Sequence, residues 1–230
     1  MIGVAFVLAG WFVGRVIYGY VHHFAFRLSQ EIHAAYVEIY PENPPHFAPE
    51  KSILTPIKTK ISQPYYRLFF ALLFALCDWL NEGILTAICW ACFCSLLFAI
   101  SVVDGYYRLI SPALCQCLFA LGLGAAYWQI TPLTLEQSLQ SAVIFFGVFS
   151  LIYYGAKGYY KQEAFGRGDC WLALGLGAFF SYEQLPAFLL LACLLGLVYA
   201  LYGKLNQRHL TAIPFGPFLC LSGVLCQLLN

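Results

Sequence analysis

Charge is what this sequence has least of. Asp, Glu, Lys and Arg make up 10% of its 230 residues, against 61% hydrophobic residues and a mean hydropathy of +0.74. A soluble domain carries about 25% charged residues, so the chain reads as an integral membrane protein. Its formal net charge is +1, and no basic run tracks a phosphate backbone. Nucleic-acid partners are therefore excluded. Cysteine is missing before Cys77, and the ten thiols all fall in or at the ends of apolar runs. There they are expected to behave as small hydrophobes, not as a disulfide frame. His22, His23, His33 and His46 have no cysteine beside them, so zinc-ligand spacing is absent and no metal site is expected. No internal repeat or low-complexity tract is visible.

What is abundant is apolar sequence in long runs. A helix crossing a bilayer needs roughly 20 mainly apolar residues, and eight candidates follow one another. They are Ile2 to about Tyr20, Leu68–Leu80, Ile84–Val103, Ala113–Ile130, Leu139–Gly155, Cys170–Phe180, Leu185–Tyr202 and Ile213–Leu229. Leu68–Leu80 and Cys170–Phe180 are short and need interfacial residues to complete a crossing. Basic residues follow the first run instead of preceding it, which argues against a cleaved signal peptide. Helical spacing of Leu28, Ile32, Tyr36 and Ile39 carries the first helix onward until the prolines near residue 45 stop it.

The breaks between runs divide sharply by charge. Arg27, Lys51, Lys58, Lys60 and Arg67 fall in the first, Arg108 in the second of the same side, Lys157, Lys161 and Arg167 in the third, and Lys204 with Arg208 in the fourth. The opposite breaks hold Glu82, Glu136 and Glu183 but no Lys or Arg. Cytoplasmic loops collect Lys and Arg, so the expected fold is all-α and polytopic, with about eight transmembrane helices, both termini outside and one longer cytoplasmic loop. Its expected segments are a first transmembrane helix over 1–20, a cytoplasmic loop over 21–67 and a membrane domain over 68–230. Asp104 and Asp169 then both emerge at the cytoplasmic membrane face. Asp78 and Glu82 belong to the rim of an external turn.

Ionisable residues at membrane depth are costly and are functional candidates by default. The stretch EAFGRGDCWLALGLG, Glu163 to Gly177, permits several readings of Asp169. A phosphate loop is excluded by the missing GxxxxGK[ST] spacing and by the repulsion an aspartate would exert on the ligand. Arg167-Gly168-Asp169 as an adhesive triplet requires external exposure, which the charge bias denies. A helix cap is open to Asp169, but a cap does not need Gly166 and Gly168, which permit close approach of a second backbone. Two carboxylates brought together share a proton. One can then deprotonate water while the other protonates a carbonyl oxygen, hydrolysing an amide without a metal or a covalent intermediate.

Three segments, which follow one another along the chain in the family's order, resemble the bacterial prepilin peptidases, the GxGD-type membrane aspartic proteases. Gly166-Arg167-Gly168-Asp169 with LALGLGAF (Leu172–Phe179) is similar to their GxGD segment and its helix. ISVVDGYYRLI (Ile100–Ile110) is similar to the segment that ends in the first catalytic aspartate, and IPFGPFLCLSG (Ile213–Gly223) to the closing element. GWFVGRVIY (Gly10–Tyr18) is a weaker match to the first helix of the family. The resemblance implies that Asp104 and Asp169 are a catalytic pair with Gly166 and Gly168 at the substrate backbone. It implies cleavage of the short basic leader of type IV prepilins or type II secretion pseudopilins at the cytoplasmic side of the inner membrane. The peptidase reaction needs no cofactor.

Departures from the family pattern are also visible. Ser111-Pro112 stands where a Pro-Asp pair is common, and Trp171 stands where a lysine is common. The zinc-binding CxxC pairs of the long, bifunctional members are missing from the loop, which leaves N-methylation with S-adenosylmethionine open. Pro112-Ala113-Leu114 matches the PAL signature of presenilin-like proteases but precedes the GxGD segment instead of following it, so the match is coincidental. The alternative reading of the same carboxylates is an ion or proton transporter, although neither repeated halves nor a midplane acid is present. A structural subunit with helix-capping carboxylates is a third.

Overall fold

The computed structural model describes residues 2–42, 46–47, 61–161, 166–206 and 213–229. Lys51, Lys58, Lys60, Glu163 and Arg208 lie outside the described residues. Among those described, the chain is helical throughout: α1 (Ile2–Ile39), α2 (Gln63–Leu80), α3 (Ile84–Tyr107), α4 (Pro112–Tyr127), α5 (Leu135–Tyr160), α6 (Arg167–Gly177), a 3-10 turn (Tyr182–Gln184), α7 (Leu185–Leu205) and α8 (Gly216–Leu229). Four stretches, Ile2–Ile39, Ile84–Tyr107, Leu135–Tyr159 and Tyr182–Leu205, are long and apolar enough to cross a membrane. The protein is an all-α, multi-pass membrane protein.

Helix ends follow local chemistry. Thr134 and Gln137 form a reciprocal capping box at the start of α5, with Gln137 N–H to Thr134 Oγ1 at 3.2 Å and Thr134 N–H to Gln137 Oε1 at 3.0 Å. Pro112 opens α4 at a position where its missing N–H costs nothing. Arg108 closes α3 in the left-handed region at φ 54°. That turn carries the chain from Asp104 back toward Ile110.

The chain divides into two compact units, Met1–Trp79 and Leu80–Asn230. In the first, α1 is continuous to Ile39 and buries a stripe of Phe6, Gly10, Gly14, Ile17, Val21 and Phe24, close to the 3.6-residue period. Gly10 and Gly14 bring α1 against the backbone of α2: a Cβ on Gly14 would lie 2.7 Å from the carbonyl oxygen of Tyr66, and one on Gly10 would collide with the Phe70 carbonyl. This small-xxx-small spacing is the usual way membrane helices approach closely.

In the second unit α6 packs against α4 and α5, and α8 against α3 and α7. Fully buried Phe93, Leu118, Phe145, Leu176, Phe188 and Leu219 fill the space between these six helices. The expected span Cys170–Phe180 is instead an 11-residue helix that begins earlier and stops at Gly177. At 1.5 Å per residue it is about 16 Å long, and most of its side chains are buried in protein, so it needs no lipid-matched length. Five cysteines are buried as expected, whereas Cys117 and Cys193 are exposed. On a membrane helix an apolar position has two apolar neighbours to choose from, protein and lipid.

Candidate active site

Asp104 lies in the last turn of α3 and Asp169 in the first turn of α6, and only 5% and 6% of their surfaces are accessible. The amide N–H of Asp169 closes onto the Gly166 carbonyl at 3.2 Å. Gly166 is thus the cap residue and Asp169 the third residue of the helix. The expectation of Asp169 as a residue just before the helix is corrected by one turn, because the glycines allow the helix to begin at Arg167. From that position its carboxylate reaches back to the Gly166 backbone, like the acid of a capping box.

Asp104 Oδ2 accepts a 3.0 Å hydrogen bond from the main-chain N–H of Gly216, 112 residues away and the first residue of α8. A helix start leaves its first N–H groups without internal partners and carries a partial positive charge. Asp104 satisfies one of those groups. Fit is tight here, since a Cβ on Gly216 would stand 2.6 Å from Asp104 Oδ2.

Ile110 joins the two aspartate-bearing segments. A Cβ on Gly168 would meet the Cβ of Ile110 at 2.7 Å, and the Gly216 Cβ position is 3.2 Å from Ile110 Cδ1. One side chain therefore sits against the glycine of GxGD and against the glycine of IPFGPFL. At Gly166 the nearest group to a Cβ would be Asp169 Oδ2, at 3.0 Å.

Electrostatics link the acids. Asp169 precedes the apolar part of α6 and lies outside the four long spans. Burial, and then the negative charge of Asp104, push its carboxyl up to about 7, against an opposing hydrogen bond from the Gly166 backbone. Asp169 Oδ1 is buried with no hydrogen-bond partner. A proton there, or an incoming donor, would satisfy it.

The neighbours of Asp169 in its motif have partners of their own. Arg167 Nε donates to Tyr153 Oη at 3.1 Å, with its guanidinium 5.8 Å from the ring centre. With Arg167 on Tyr153 and Asp169 buried, the Arg-Gly-Asp triplet is no adhesive display. Trp171 packs on Phe146, ring centres 5.6 Å apart. Among the described residues no group of three or more His, Cys, Asp or Glu side chains is placed to hold a metal ion. His22 and His23 have their Nδ1 atoms on the carbonyls of Tyr18 and Gly19, at 3.0 and 2.9 Å.

Over 229 residues, 98% of this chain and 96% of the relative, the sequence is 39% identical to a prepilin leader peptidase/N-methyltransferase of Haemophilus influenzae. The model of the type IV leader peptidase family matches residues 91–201, the stretch that holds both aspartates. The chain belongs to the type IV leader peptidase family. Two proteins that share the name of the Haemophilus relative match over shorter lengths. The one from Escherichia coli is 35% identical over 136 residues, 58% of this chain and 59% of the relative. The one from Pseudomonas aeruginosa is 34% identical over 134 residues, 55% of this chain and 44% of the relative. No solved structure matches the chain. Family membership gives the transporter alternative no support.

Two features of this candidate site have no counterpart in the sequence expectations: the Gly216 amide and the Ile110 side chain between the two glycines. Gly216 was visible only as the glycine of IPFGPFL. A main-chain donor has no residue-type signature, and the only pointer was a glycine followed by proline ahead of an apolar helix.

Proposed function

We propose that this protein hydrolyses one peptide bond of type IV prepilins or pseudopilins, releasing a short basic leader at the cytoplasmic face of a bacterial inner membrane, with Asp104 and Asp169 as the catalytic pair. The observation that carries this reading is a pair of buried carboxyls on separate helices, one under the electrostatic influence of the other, in a chain of the type IV leader peptidase family. Water attack on the scissile carbonyl requires a base for the water and an acid for the developing oxyanion. A coupled pair holding one proton supplies both. Gly166 keeps bulk away from Asp169 Oδ2, whereas the space beside Gly168 is taken by Ile110 and not left for a substrate backbone. The one-sided Lys and Arg residues support the cytoplasmic orientation.

The Haemophilus relative also carries methyltransferase in its name, and methyl transfer would require S-adenosylmethionine. A concavity of about 600 Å³ runs along α1, lined by Phe12, Arg15, Tyr20, His23, Phe26 and Arg27 among others. Two guanidinium groups facing a sulfonium cation are a poor fit.

The test is cleavage of a prepilin by the purified protein and by Asp104→Asn and Asp169→Asn. Each substitution is expected to lower kcat about 10²–10⁴-fold, the usual weight of general acid–base catalysis. Retained cleavage in both would sink the assignment. Asn is also a good helix cap, so the same pair of variants separates catalysis from a purely structural role.

A further inference from the structure

We propose that the main-chain N–H of Gly216, at the start of α8, holds Asp104 as the carboxylate of the pair, so that Asp104 is the base and the shared proton rests on Oδ1 of Asp169, the acid. This assignment rests on the reading of the two aspartates as the catalytic pair and divides their roles.

The asymmetry lies in what each carboxyl touches. Asp104 Oδ2 takes the 3.0 Å bond from Gly216, and that donor belongs to a helix N-terminus, whose partial positive charge favours an anion. Burial weighs against charge at Asp104 as it does at Asp169, but at Asp104 the Gly216 amide and the positive charge of Arg108, one turn further along the chain, oppose it. Donors and cations of this kind favour the ionised form. Asp169 has the Gly166 backbone on one side, but its Oδ1 is buried and unpartnered. An ionised carboxylate with a bare buried oxygen is costly, whereas a protonated Oδ1 is a donor in search of an acceptor. The scissile carbonyl oxygen is such an acceptor.

The resulting reaction is balanced. Asp104 takes a proton from water as the water oxygen bonds to the scissile carbon, and the Oδ1 proton of Asp169 passes to the carbonyl oxygen. When the C–N bond breaks, the departing amine takes the proton from Asp104 and a hydroxyl of the diol returns one to Asp169. Gly216 touches neither substrate nor reacting atoms. It is a positioning residue acting through Asp104.

Other charged and titratable groups surround the pair. Arg108 ends α3, Cys115 faces the pair from α4, Cys170 from α6 and Cys220 from α8, and on α5 the Tyr153 hydroxyl oxygen accepts from both Lys157 and Arg167. The ordinary pKa of a free thiol is about 8.5, well above the carboxyl range. The acid limb of a pH–rate profile therefore belongs to the two carboxyls.

Two measurements on the full-length protein in lipid nanodiscs test the assignment. The first is a pH titration of the protonated-carboxyl C=O stretch by infrared difference spectroscopy. The band is expected to vanish in Asp169→Asn, and in Asp104→Asn to persist with its midpoint moved down by about one pH unit, because the repelling charge is gone. A band lost in Asp104→Asn and kept in Asp169→Asn overturns the assignment while leaving the catalytic pair intact, provided both variants are inactive. Cleavage retained by both variants would instead overturn the catalytic reading.

The second measurement removes the donor without adding bulk, by incorporating glycolic acid in place of Gly216 so that an ester oxygen replaces the N–H. The acid limb of kcat/KM is expected to move up by roughly one to two pH units. A limb that does not move overturns the role of Gly216.

Discussion

At Gly168 the nearest atom to an added Cβ is the Cβ of Ile110, at 2.7 Å, and two β-carbons cannot share that space. Gly168→Ala is expected to force the Ile110 segment and Asp169 apart, costing about 1–3 kcal/mol and at least tenfold in cleavage rate. Ile110→Gly in the same chain removes the facing β-carbon and should recover part of both, and strictly additive effects in that double-mutant cycle would show that the two residues do not press on one another. Asp169 gives a second expectation. Its carboxyl titrates at about 7 when folded and at about 3.9 when unfolded, so the folded state binds the proton more tightly. Stability from this group is therefore full below about pH 4 and is lost as pH rises through about 7. Asp169→Asn removes that loss: its melting temperature in detergent should exceed that of the wild type by a few degrees at pH 8 and by less at pH 5. An equal difference at the two pH values would contradict the raised carboxyl. Both aspartates were legible as residues, since acids beside apolar spans stand out by type. Their partners were not, because a backbone amide and an isoleucine look like any others until the chain is folded.

At the scale of elements the apolar runs locate each described helix, but several helices begin and end elsewhere than the runs do. Hydropathy marks the apolar run Cys170–Phe180, whereas α6 is set by the glycine cap at Gly166 and by the close packing of its last turn. A Cβ at Gly177 would stand 2.7 Å from the Cβ of Phe145 and 2.9 Å from the Cα of Ala142. Because the Ala142 Cα is backbone, no rotamer change relieves that contact. Gly177→Val is expected to cost about 3 kcal/mol or more, at the upper end for overpacking, and to show as a lower melting temperature and weaker protection of α5 and α6 in hydrogen exchange. Unchanged protection would mean that the α5–α6 contact is looser than its geometry. Likewise α2 starts at Gln63, five residues before the apolar run, since Tyr65 and Arg67 can join a helix at an interface without joining a hydropathy window.

For the whole molecule, the placement of both carboxyls on one membrane face rests on charge asymmetry, and that is open to a direct check. Lys157 and Lys161 stand at the end of α5 and Lys204 at the end of α7, while Glu136 and Glu183 mark the opposite ends of these helices. Asp104 near the end of α3 and Asp169 at the start of α6 belong to the basic side. Short epitope tags inserted after Lys161 and after Gln129 should therefore behave oppositely in intact spheroplasts. The Gln129 tag should be reached by antibody and by added protease, and the Lys161 tag only after the membrane is opened. Tags accessible in the reverse sense would put the carboxyl pair on the outer face, where a cytoplasmic leader could not reach them. Both tags on one side would break the helix count itself. The one-sided distribution of Lys and Arg argues against either outcome, because an odd error in the number of crossings would scatter those residues over both faces.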